Sequence, residues 1–131
     1  MQPKKALVID DSSLIHKMFR LILPHAALLF AGDGREALHK LVADPDVELI
    51  FLDINMPNMN GLEFLAQVKA DPALHQIPVI IVSTEGQEED TIRGLRAGAA
   101  AYVKKPFRNE TLQDLIRKVM ERSPEAAAMV V

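Results

Sequence analysis

The stretch that decides the fold is residues 47–61, VELIFLDINMPNMNG. A nearly continuous apolar run ends there in Asp53, and a loop rich in Pro, Asn and Gly follows. Strands that are apolar at successive positions are typical of a parallel sheet covered on both faces. An acid at the carboxyl end of such a strand lies where open α/β sheets bind ligands. Asp53 is therefore the first candidate functional residue.

The rest of the chain alternates short apolar runs with amphipathic helical patterns. Besides the run before Asp53, the pattern predicts strands at Ala6–Ile9, Ala26–Ala31, Ile77–Val82 and Ala99–Val103. Each strand is followed by a helix, and Ser123-Pro124 ends the fifth. Strict alternation predicts an α/β fold, a (βα)5 doubly wound parallel five-stranded sheet with helices on both faces. We expect one domain over residues 1–123; the tail, 124–131, has no assigned element and could fray or extend a helix.

Composition excludes several classes of function. The chain has 131 residues, enough for one domain, and a net charge of −3, which argues against nucleic acid or a membrane surface as its main partner. It has no cysteine, so disulfides and thiolate chemistry are excluded. No apolar stretch approaches the roughly 20 residues of a membrane span, and no signal peptide is recognisable, so we expect a cytoplasmic protein. His16 is predicted to lie in mid-helix, away from any site.

Polar residues follow four of the five predicted strands. They are Asp10-Asp11, Asp53, Ser83-Thr84 and Lys104-Lys105. In a parallel sheet these strand ends lie at one edge, and in the order 2-1-3-4-5 the first and third strands are neighbours at the switch point. The sequence therefore predicts three carboxylates close together, with a lysine and a hydroxyl near them.

Such a cluster of like charges is unfavourable unless a cation offsets it. Oxygen ligands select a hard ion, and magnesium (Mg2+) typically takes one or two carboxylates, waters and a phosphate oxygen. Lys105 would add a fixed positive charge and Ser83 a hydroxyl donor. Each residue alone has a plainer explanation: Asp10-Asp11 could cap a helix, and Ser83 and Lys105 could be ordinary surface groups. Their coincidence at one edge favours a magnesium and phosphate site.

These motifs resemble the receiver (CheY-like) domain of bacterial two-component response regulators, over about residues 4–122. The matching elements are Asp10-Asp11, Asp53, Met56-Pro57 with Gly61, Ser83 thirty residues after Asp53, Gly98-Ala99, Tyr102 and Lys105-Pro106-Phe107. The whole set at these spacings is specific, whereas one element alone would be weak. The resemblance implies the flavodoxin-like/CheY-like strand order 2-1-3-4-5.

The resemblance also implies roles, position by position. Asp53 would be the phosphoacceptor, taking a phosphoryl group from a histidine kinase or phosphotransfer protein. The implied metal ligands are Asp11, Asp53 and the backbone carbonyl of Asn55, with Asp10 acting through water. Lys105 would contact the phosphoryl group, with a cis bond to Pro106, and Ser83 and Tyr102 would form the switch. Asn55, Thr84 and Glu85 are expected to tune reaction rates. Thr84 stands where a small residue is usual and could narrow access; Thr84→Ala should then change phosphorylation or dephosphorylation rates.

The resemblance places the output surface on helix 4, strand 5 and helix 5, where a downstream protein target would bind. Basic residues are frequent there: Arg93, Arg96, Lys104, Arg108, Arg117, Lys118 and Arg122. Such a protein is not an enzyme beyond its own phosphorylation and dephosphorylation. Three alternatives remain open at this point: a receiver fragment of a larger multidomain regulator, a small aspartyl-phosphate phosphatase, and a flavodoxin-like nucleotide-binding module. The phosphatase would need a second acid at position 55, which is Asn.

Overall fold

The computed structural model describes residues 2–54, 61–83, 88–121 and 129–130. The strands are β1 (Lys5–Ile9), β2 (Ala27–Ala31), β3 (Leu49–Asp53), β4 (Val79–Ser83), β5 (Ala101–Lys104) and β6 (Met129–Val130). The helices are α1 (Ser13–Ile22), α2 (Gly34–Ala43), α3 (Gly61–Ala70), α4 (Glu88–Arg96) and α5 (Asn109–Glu121). All strand pairings are parallel, in the order β2-β1-β3-β4-β5-β6. The predicted (βα)5 sheet and its order 2-1-3-4-5 are confirmed, and β6 is added outside β5.

The apolar runs are explained by two cores, one on each face of the sheet. In β1, Leu7 and Ile9 belong to the core on one face, whereas Ala6 and Val8 belong to the core on the other. β3 alternates in the same way, and all of its residues before Asp53 are buried. Successive side chains of a strand point to opposite faces, so a strand covered on both faces needs apolar residues at every position.

The helices divide between these two faces. α2 and α3 bury residues such as Leu41 and Phe64 in one core, whereas α1 and α5 bury Phe19, Leu112 and Ile116 in the other. Burial of each such large side chain contributes roughly 1.5–3 kcal/mol. The sheet therefore lies between two helical layers, and its carboxyl edge is available for a functional site.

Helix starts follow the local sequence closely. The Ser12 hydroxyl accepts a hydrogen bond from the Ile15 amide at 3.3 Å, and the Asp33 carboxylate accepts one from the Glu36 amide at 2.9 Å. These are N-caps, which satisfy amides that have no partner within the helix. Where the predicted strand bounds differ from the observed ones, they differ by one or two residues. β4 begins at Val79 rather than Ile77, since Pro78 has no N–H to donate to a ladder.

Candidate phosphoacceptor and metal site

The register of the strands brings the predicted residues to one edge. Ile9 of β1 pairs with Leu52 of β3, so Asp10 and Asp53, the next residue of each chain segment, emerge at the same level. Across the sheet, Ser83 is paired with Lys104, which places Lys105 one step beyond the end of β4. The strand lengths and this register therefore place Asp10, Asp53 and Lys105 at the carboxyl edge of the sheet.

Lys105 lies between two carboxylates at this edge. Its Nζ is 2.9 Å from Asp10 Oδ2 and 3.7 Å from Asp53 Oδ2. The exposed fractions of the three side chains are 19%, 5% and 16% respectively. Burial strengthens electrostatic interactions, and removing one member of a partly buried group of charges leaves the others uncompensated. The lysine thus offsets part of the negative charge that the strand ends concentrate.

Asp10 is held at four of its polar atoms. Its amide donates to the Ala31 carbonyl at 2.9 Å, and its Oδ1 accepts from the Ser12 amide at 2.9 Å. Its Oδ2 accepts from Lys105, and its backbone carbonyl lies 2.6 Å from His16 Nε2. A carbonyl only accepts, so the His16 ring donates through Nε2. The loop that carries the acidic pair is consequently fixed from β2, from α1 and from Lys105.

The placement of His16 corrects the sequence interpretation. It was expected away from the site, but its ring hydrogen-bonds the Asp10 backbone and packs against Phe30 of β2, with ring centroids 4.3 Å apart. Arg20 lies over the same Phe30 ring, 4.9 Å from its centroid. The available signal was that His16 follows the Ser12 cap by one helical turn, which directs its side chain back toward the helix start.

Asp11 and Tyr102 differ in exposure. Asp11 follows Asp10 directly at the carboxyl edge and is exposed. Tyr102 lies within β5, is only 8% exposed and belongs to the core on the α2 and α3 face.

The peptide bond between Lys105 and Pro106 is cis, as the resemblance implied.

Three predicted residues lie outside the described part of the chain: Asn55, Thr84 and Glu85. For Ser83 the structure describes the backbone, which ends β4, and not the side chain. The prediction that three carboxylates lie close together is wrong for the part of the chain that the structure describes, since no group of three or more acidic or histidine side chains there is close enough to hold a metal ion. Magnesium needs only one or two carboxylates, and it commonly keeps several waters.

The donor chemistry of this edge fits a hard divalent cation. Asp10, Asp11 and Asp53 bring three carboxylates, and Lys105 supplies one positive charge against them. Oxygen donors without nitrogen or sulfur ligands favour magnesium or a similar ion over zinc. The side chains of Asp11 and Asp53 are the ones that would hold it, whereas both carboxylate oxygens of Asp10 already accept hydrogen bonds.

A domain with this parallel sheet order, with acids and a lysine at the carboxyl edge, belongs to the class of doubly wound α/β proteins. Within that class, the model of the response regulator receiver domain matches residues 6–117. The chain belongs to this family and is the receiver domain of a CheY-type response regulator, a part of two-component signalling. Members of the family are signalling proteins rather than enzymes with substrates of their own, and this removes the phosphatase alternative.

Individual relatives agree with this assignment. The chain is 37% identical over 119 residues to chemotaxis protein CheY1 of Helicobacter pylori strain J99, covering 88% of this chain and 96% of that protein. It is similar to the structure of the chemotaxis response regulator CheY4 of Vibrio cholerae, with a TM-score of 0.80 and 34% identity over 88% of this chain and 97% of that one.

A third relative was solved with a metal ion. The Mn(2+)-bound form of response regulator Rcp1 matches with a TM-score of 0.75 and 26% identity, over 96% of this chain and 98% of that one.

In the described ranges of our chain, no helix is both long enough and apolar enough to cross a bilayer.

Proposed function

We propose that Asp53 is the phosphoacceptor of this receiver domain and that a partner histidine kinase or phosphotransfer protein supplies the phosphoryl group. The observation that carries the proposal is the position of Lys105 Nζ, 2.9 Å from Asp10 and 3.7 Å from Asp53 at the carboxyl edge of β1 and β3. A carboxylate is an established covalent nucleophile in phosphoryl transfer. A carboxylate oxygen of Asp53 attacks the phosphorus. The bond between the phosphorus and the histidine nitrogen of the partner breaks, and an acyl phosphate forms on Asp53.

The residues of the chain supply positioning and charge. Phosphoryl transfer depends mainly on orientation and on stabilisation of charge at the transferred oxygens. Lys105 holds one positive charge at that place, and Asp10 fixes Lys105 through their ion pair. A magnesium ion held by Asp11, Asp53 and the Asn55 carbonyl, with Asp10 behind a water, would neutralise the developing negative charge.

The output follows from the added charge. A phosphoryl group brings about −1.5 to −2 charges and three acceptor oxygens. We propose that the Ser83 hydroxyl moves toward these oxygens and that Tyr102 changes its rotamer in response. Because Tyr102 lies in β5 and α4 and α5 both pack against that strand, the change would reach the helix 4–strand 5–helix 5 surface. A downstream protein would bind there; Arg93, Arg96 and Lys104 are exposed on it.

The test is mass spectrometry of the intact chain after incubation with Mg2+ and a small acyl phosphate donor. We expect one base-labile phosphoryl group on the wild type and none on Asp53→Ala. Asp46→Ala is the matched control, since Asp46 is an exposed aspartate paired with Lys5, the first residue of β1, and should be labelled like the wild type. Labelling of Asp53→Ala to the same extent as the wild type would contradict the proposal.

A further inference from the structure

The end of the chain has a composition that the phosphoacceptor role does not use. Residues 126–131 are Ala-Ala-Ala-Met-Val-Val, six apolar residues in succession after Ser123-Pro124-Glu125. Its last two residues are valines, and β-branched residues favour an extended strand on a half-buried surface. Exposure of six apolar residues to water would be unfavourable, so a surface that pairs with them is a candidate functional surface.

Two residues of this segment, Met129 and Val130, pair with the sheet. Met129 lies opposite Ala101 and Val130 lies opposite Tyr102, in parallel register. Without β6, the outer side of β5 would be the edge of the sheet, with a row of backbone N–H and C=O groups open to pairing. Edges of this kind are recognised by extended segments that add a strand.

The position of this pairing matters. Within the described part of the tail, β6 covers Ala101 and Tyr102, the first two residues of β5. Tyr102 is therefore paired on both sides, with Ile81 of β4 and Val130 of β6. The tail contacts the backbone of the residue that the proposed function makes a switch.

We infer that the apolar tail is a built-in occupant of the outer edge of β5, and that an extended segment of another protein can pair with this edge only by displacing it. The inference rests on the proposed function in one respect, namely that this edge belongs to the surface that a downstream protein recognises. The occupant itself is a segment of this chain. Because the tail is covalently attached, its effective concentration at the edge exceeds that of a free segment with the same contacts.

The first test compares amide hydrogen exchange of residues 101–104 in full-length proteins without phosphodonor. Met129→Pro combined with Val130→Pro removes both N–H donors of β6, and Ala126→Ser with Ala127→Ser is the matched control in the same tail. We expect exchange in β5 to be roughly two- to tenfold faster in the proline variant, and unchanged in the serine variant. Equal exchange in the wild type and the proline variant would overturn the inference.

The second test uses a synthetic peptide of residues 125–131 as the competing segment. We expect it to bind the proline variant more tightly than the wild type, whose edge is occupied, with chemical-shift changes confined to β5 and its neighbours. Equal affinity for the two proteins, or no binding to either, would contradict the inference. Neither measurement involves phosphate, so a failure here is distinct from a failure of Asp53 to accept a phosphoryl group.

Discussion

Asp10 shows how a single residue at this site depends on several elements. Its backbone amide bonds β2, its carbonyl bonds His16 of α1, and its carboxylate bonds both the Ser12 amide and Lys105. Every described buried side-chain nitrogen or oxygen has a hydrogen-bond partner, and both carboxylate oxygens of Asp10 accept hydrogen bonds. Asp10 is therefore held in place, whereas the exposed side chain of Asp11 is accessible to a metal ion.

His16→Phe tests this arrangement, because a phenyl ring can keep the packing on Phe30 but cannot donate to the Asp10 carbonyl. Hydrogen bonds that orient metal ligands typically contribute 10–100-fold to metal affinity. His16 bonds the backbone carbonyl of Asp10, the residue directly before the proposed ligand Asp11. We expect Mg2+ affinity, measured by isothermal titration, to fall about tenfold. The free energy of unfolding without metal should fall by about 1 kcal/mol.

His39→Phe is the control for that experiment, since His39 is exposed on α2 and should leave both quantities unchanged. If His16→Phe bound Mg2+ as tightly as the wild type, the hydrogen bond to Asp10 would have no role in positioning the acidic pair.

At the scale of elements, the start of α3 lies close to the backbone at the end of β3. A Cβ added at Gly61 would lie 2.8 Å from Ile54 Cα and 3.0 Å from the Asp53 carbonyl oxygen, and the Gly61 amide donates to the Ile54 carbonyl at 3.2 Å. These neighbours are backbone atoms and cannot rotate away. Glycine at the start of α3 therefore lets the helix approach the strand end that carries Asp53, the proposed phosphoacceptor.

Gly61→Ala should destabilise the protein by roughly 1–3 kcal/mol, since overpacking forces the backbone to shift. The same substitution at Gly32 is the matched control, because its Cβ would meet only Glu36 Oε2, at 3.7 Å. Chemical denaturation should show Gly32→Ala within about 0.5 kcal/mol of the wild type. Equal stability of the two variants would mean that the close approach at Gly61 is relieved at no cost.

At the scale of the whole molecule, the sheet gathers charge of one sign at one edge. β1 and β3 both end in acids, and one lysine from beyond β5 is shared between Asp10 and Asp53. Carboxylates that lack full compensation repel one another and oppose folding. A ligand that binds only the folded edge must therefore stabilise the entire domain.

Thermal unfolding should show this linkage directly. At a Mg2+ concentration one hundred times the dissociation constant, binding should add about 2.7 kcal/mol to the free energy of unfolding. Asp11→Ala should remove that gain without lowering stability in the absence of metal, because Asp11 is exposed. Asp46→Ala should keep the gain. A full Mg2+ effect in Asp11→Ala would show that Asp11 is not a ligand.

The sequence by itself determined the five strands and five helices of the predicted sheet and the polar residues that follow the strands. The apolar runs of β1 and β3 and the acids after these strands are local signals, readable because strand and helix periodicity act within a few residues. Local signals were weakest at strand bounds, where Pro78 shortened β4.

Only the tertiary structure decided the contacts between distant segments. Lys105 reaches Asp10 across 95 positions in sequence, and its greater closeness to Asp10 than to Asp53 depends on how β5 is placed against β4. The bond from His16 to Asp10 and the pairing of Met129–Val130 with β5 likewise depend on packing. Such contacts form only once the core fixes register and helix position, and no local pattern of residues specifies that geometry.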